Sequence, residues 1–113
     1  MEPTLRAGMD FLRDDGSAIG CIANRYMLVE DAAGRPTDKS YGMSWWKSLA
    51  ALERWAESHP THAAIFGAAM KYLSALGSAA KLNLHHEVTV ALADGQFFEY
   101  LNCSECTGWL RAA

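Results

Sequence analysis

The sequence predicts an α+β domain with helices packed on an antiparallel sheet, and three observations carry that prediction. Apolar residues recur at steps of three and four in the opening segment and across two central segments, the spacing of helices that bury one face. Ala18 to Asp31 is rich in Ile, Tyr and Val, the composition of a strand. Lys81 to Asn102 alternates by twos on both sides of Ala93-Asp94-Gly95, which reads as a hairpin. A chain of 113 residues accommodates one such domain, residues 1–113, with room for a workable core and for no second domain.

Each element follows from its residues. Leu5, Met9 and Leu12 share one face of a helix over about residues 4–14, which Gly16 ends. After the strand, "DAAGRPTDKS" reads as a surface loop punctuated by Gly34 and Pro36. From Ser44 to Glu57 the pattern is helical, with Trp45, Leu49, Leu52 and Ala56 on one stripe. Ser58 is the natural N-cap of a further helix, and Pro60 fits its first turn, where a missing N–H costs nothing. That helix begins close to His59 and runs to Leu76 before Gly77. Its stripe is His62, Ile65, Phe66, Ala69, Met70, Leu73 and Leu76, so His62 heads the face expected to be buried. In the hairpin, Leu82, Leu84, His86, Val88, Val90 and Leu92 share one face, which turns His86 inward and His85 outward.

The composition narrows the functional classes. A net charge of −3 and the absence of a basic stripe interleaved with aromatics argue against nucleic acid. No apolar run reaches membrane-spanning length, and the opening "MEPTLRAGMDFLRDDG" has no apolar core of a signal peptide. Three cysteines make no secreted disulfide framework, so a reducing, cytoplasmic setting is expected.

Histidine carries the remaining chemical signal. His62 and His86 either serve as core imidazoles satisfied by neighbouring carbonyls or hydroxyls, or converge on one cavity as a metal ligand and a proton-transfer group. His59 with His62 and Cys103 with Cys106 also compose, on paper, four ligands of zinc type. Trp45, Trp46 and Trp55 read as core and rim packing. No Gly-rich phosphate loop and no G-x-S-x-G or H-E-x-x-H motif occurs.

Three stretches, "GMSWWKSLAALERWAESHPTHAAIF", "KLNLHHEVTVA" and "FFEYLNCSECTGWL", together resemble the C-terminal part of the haem-dependent aldoxime (phenylacetaldoxime) dehydratases, with "GCIANRYM" a weaker match upstream. The resemblance implies a ferredoxin-like half of a dimeric α+β barrel. It also implies a b-type haem, ferrous in the active form, and dehydration of a small-molecule aldoxime to a nitrile. Carried over by motif, His62 is the axial iron ligand and His86 the distal acid and base, while His59 shapes the helix entry. The partner it implies is a second copy or the missing N-terminal half. Two departures stand out: Ser104-Glu105 replaces the family's His-Pro after Asn-Cys, and His85 replaces a tyrosine before the distal histidine. The upstream arginine and serine that orient the oxime hydroxyl have no counterpart in this chain.

Overall fold

The opening periodicity folds as helix α1, Glu2–Asp15, in this computed structural model, which describes residues 2–112. A 3-10 turn at Gly16–Ile19 and Gly20, with φ 93°, swing the chain into strand β1, Cys21–Glu30. The second strand, β2, is Pro36–Trp46, and it pairs antiparallel with β1 from Cys21 opposite Trp46 to Glu30 opposite Pro36, with two irregularities in register. Helices α2, Leu49–Ser58, and α3, Pro60–Leu76, follow, and a 3-10 turn at Gly108–Ala112 closes the described chain. Helix α1 packs on β1 and on α3, so the predicted class, helices on an antiparallel sheet, is the one observed.

The core lies where α1, the start of β1 and α2 meet. Leu12, Cys21 and Trp55 are its buried centre, ringed by Met9, Phe11, Ile19, Trp46, Leu52 and Ile65. Asn24 is buried beside it and donates its side-chain N–H to the Met9 carbonyl at 2.9 Å, the partner that a buried amide requires. Gly8 permits the close approach of α1 and α3, because a Cβ there would fall 2.5 Å from the Ile65 Cδ1.

Five expectations are corrected. The loop expected through Ser40 is a turn only as far as Arg35. Asp31 Oδ1 accepts from the Ala33 and Arg35 backbone N–H groups at 2.9 and 3.0 Å, and Gly34 takes a φ of 80°. Pro36 then opens β2, the place in a strand where a missing N–H is harmless. Trp45 accordingly belongs to β2, and α2 starts only after Ser48, whose hydroxyl accepts from the Ala51 N–H at 3.2 Å. The buried positions of α2 are Ala51 and Trp55, four residues apart.

Residue His59, and not Ser58, caps α3. The expected hairpin over 81–102 keeps its turn at Asp94-Gly95 but forms no strand ladder. Most of its alternating apolar residues stay exposed, Leu84 at 60% and Val90 at 66%, because no layer lies against them and an isolated hairpin is marginal in water. The α3 stripe is likewise uncovered beyond Ile65, with Phe66 at 62% exposure and no fully buried residue on the helix.

Past the irregular segment the tail returns to the body. The Trp109 ring packs 5.1 Å from Phe98 and 6.1 Å from Trp45, and its backbone N–H donates to the Tyr100 hydroxyl at 3.0 Å. The Arg111 guanidinium donates to the Arg13 carbonyl, across 98 residues of sequence.

Candidate functional site around the first turn of helix α3

A helix that begins with proline needs donors satisfied from outside its own ladder, and the chain supplies them with side chains of the preceding residues. His59 sits in extended backbone, φ −75° and ψ 136°, and its Nδ1 accepts from the Thr61 backbone N–H at 3.3 Å. That contact makes Nδ1 the acceptor nitrogen, so the Thr61 hydroxyl 2.8 Å away donates to it. The hydroxyl's own lone pair accepts from the Trp55 indole N–H at 2.9 Å. Phe11 stacks on the other side of His59, ring centres 4.8 Å apart. A polar chain from Trp55 through Thr61 to His59 is thereby wedged between α1, α2 and α3.

The His62 imidazole rests on this corner. Its centroid is 4.7 Å from that of Trp55, at an interplanar angle of 64°, an edge-to-face contact. The ring is half-buried, and among the described residues neither of its nitrogens has a hydrogen-bond partner. Along α3 beyond it run Phe66, Met70, Leu73 and Leu76, each more than 40% exposed. The sequence put His62 at the head of an apolar stripe, and so it is; the expectation that the stripe is buried holds in part at Ile65, which packs against the core, and fails at Phe66, Met70, Leu73 and Leu76. A cleft of about 590 Å³ opens beside the corner, lined by Lys47, Arg54, Trp55 and His59 among others.

His86 lies elsewhere. Its side chain is exposed on the irregular segment, and no hydrogen bond, ion pair or ring contact among the described residues joins it to His62. The inward orientation read from alternation needs a sheet layer that is not formed. His85 Nε2 lies 3.2 Å from the Glu87 carboxylate, with both side chains more than 80% exposed, a pairing that contributes little in water. The zinc arrangement is not assembled: Cys103 and Cys106 are exposed and free, and no group of three or more potential ligands converges among the described residues. Thr61 and Trp55 were missed as site residues, since their meeting depends on the angle between α2 and α3, which periodicity does not encode.

Comparison with known proteins points to one family. A family model described as haem-containing dehydratase matches residues 1–109. Aliphatic aldoxime dehydratases of Pseudomonas chlororaphis and Rhodococcus erythropolis are each 50% identical over 111 residues, a span that takes in 98% of this chain and 31% of theirs. A phenylacetaldoxime dehydratase of Bacillus sp. (strain OxB-1) is 36% identical over 110 residues. A crystal structure of aldoxime dehydratase is similar with a TM-score of 0.82 at 50% identity, over 98% of this chain and 31% of the other. One in complex with butyraldoxime gives a TM-score of 0.83 at 49% identity, over 98% of this chain and 30% of the other. The chain thus spans about 31% of the length of the curated relatives it matches.

Proposed function

Because this chain belongs to the haem-containing dehydratase family, we propose that it forms the axial-ligand part of an enzyme that dehydrates aldoximes to nitriles, with His62 on the iron of haem b. The names of its relatives, aliphatic aldoxime and phenylacetaldoxime dehydratases, support that substrate class. The observation that carries the reading is the corner itself. An imidazole with no hydrogen-bond partner among the described residues stands at the head of an exposed apolar helix face, and a flat apolar macrocycle with one open iron position needs both.

In this reading residues 1–113 are one domain, the C-terminal, ferredoxin-like half of the family fold, working in the cytoplasm as a homodimer or with an N-terminal half. His62 would hold the haem, which when bound would supply the electron density that weakens the oxime N–O bond. His62 anchors and orients that group from the Trp55 corner. His86, as imidazolium, delivers a proton to the oxime oxygen, so that water leaves in place of hydroxide. The neutral ring then takes the proton from the aldoxime carbon, and the nitrile is complete. His86 reaches the oxime only when segment 81–92 is laid against the apolar face of α3.

A second reading, a haem-binding module without turnover, is favoured by one observation, the exposure of His86 away from His62. Reconstitution with haem separates the two. The expected result is a Soret band that shifts on dithionite reduction and again with an aldoxime, nitrile in the product mixture, and loss of the band in His62→Ala. A band without nitrile selects the module, and an unchanged band in His62→Ala defeats the ligand assignment.

A further inference from the structure

We infer that Thr61 is a positioning residue: its hydroxyl, held between the Trp55 indole N–H and His59 Nδ1, locks the orientation of the indole that the His62 ring meets at an edge-to-face angle and so aims the imidazole. The inference rests on the reading of His62 as the iron ligand. A metal-bound histidine is ordinarily aimed by a hydrogen bond from its other ring nitrogen. No such bond reaches His62 from the described residues, and the Trp55 ring, its centre 4.7 Å away, packs directly against it. The aim of the imidazole therefore depends on the aim of the indole.

The indole has one polar handle. Trp55 is 8% exposed, and turning its ring over would leave a buried N–H unpaired, which is costly. Thr61 Oγ1 at 2.9 Å holds it in the observed plane. The hydroxyl is fixed in turn, because its proton is committed to His59 Nδ1 at 2.8 Å and its β-branched side chain has few rotamers within a helix. His59 is clamped by Phe11 stacked on its face, which ties the relay to α1 and the core. Thr61 acts through Trp55, whose indole N–H it accepts.

Thr61→Val removes the hydroxyl at nearly constant shape, Thr61→Ser restores it, and Trp55→Phe keeps an aromatic ring while deleting the N–H. In the haem-free chain, the His62 ring protons should carry a ring-current shift from Trp55. That shift is expected to be lost in Thr61→Val, retained in Thr61→Ser, and His59 should leave its single tautomer in long-range proton–nitrogen spectra. In the haem-loaded chain, transfer of haem to apomyoglobin should quicken about tenfold in Thr61→Val, the scale of a lost ligand-orienting contact. The iron–histidine vibration should also broaden. Trp55→Phe is expected to reproduce the haem effects, and it carries the test if Thr61→Val fails to fold. His62-dependent haem binding with shifts, vibration and transfer rate unchanged in Thr61→Val would overturn the inference alone. Equal haem transfer from wild type and His62→Ala would overturn the ligand reading and the inference with it.

Discussion

Alkaline pH should loosen the core through one thiol. Cys21 is 0% exposed, and desolvation pushes its thiol from an ordinary 9.0 up to about 11, against weaker opposing pulls from Arg111 and the Ala23 backbone. The folded chain therefore holds this proton more tightly than the unfolded chain. The resulting stability is fully present below pH 9 and is lost as pH rises through about 11. Two pKa units correspond to about 2–3 kcal/mol, of which about 2 kcal/mol is gone once the pH reaches the folded value. Urea unfolding of wild type and Cys21→Ala from pH 8 to pH 11 measures it. Every other ionisable group is common to both chains, so the difference between the two stability curves isolates the thiol. Wild type should lead at pH 8 and lose about 2 kcal/mol of that lead by pH 11. Parallel curves would refute the claim that Cys21 is buried as a neutral thiol.

Other substitutions probe the same corner. Leu12→Ala, at a site 2% exposed, should cost about 3 kcal/mol in urea unfolding, transfer of the lost carbons plus the cavity beside Trp55. Gly20→Ala places a Cβ 2.8 Å from the Ala51 Cβ at a φ of 93°, and a loss of about 2 kcal/mol is expected in thermal melts. His86→Ala should keep the reconstituted Soret band while nitrile formation falls by about a hundredfold or more. Full activity would move the proton to His85.

What was legible in the sequence follows physical range. Helices α1 and α3 and the start of β1 are written in local spacing, and Gly77 stops α3 where its position says it should. Strand β2 was illegible because every residue from Pro36 to Trp45 is exposed. Its existence comes from backbone pairing with β1, and an exposed two-stranded ribbon has no apolar face to alternate. The segment 81–102 shows the converse. Its alternation is real, but alternation specifies which face to bury and supplies nothing to bury it against. His62 was placed correctly as the head of α3, whereas the Trp55–Thr61–His59 relay that sets its surroundings depends on how two helices meet.

The hydrogen bond between Arg111 and the Arg13 carbonyl closes a loop of nearly the whole chain, so it must overcome a larger closure entropy than any contact inside the α1–β1–α2 core. A clasp of that kind forms only on a surface already built, and the indole it brings home, Trp109, becomes a witness to completeness. A change in the environment of Trp109 reports that both ends of the described fold have met, while Trp55 reports only that the middle has packed.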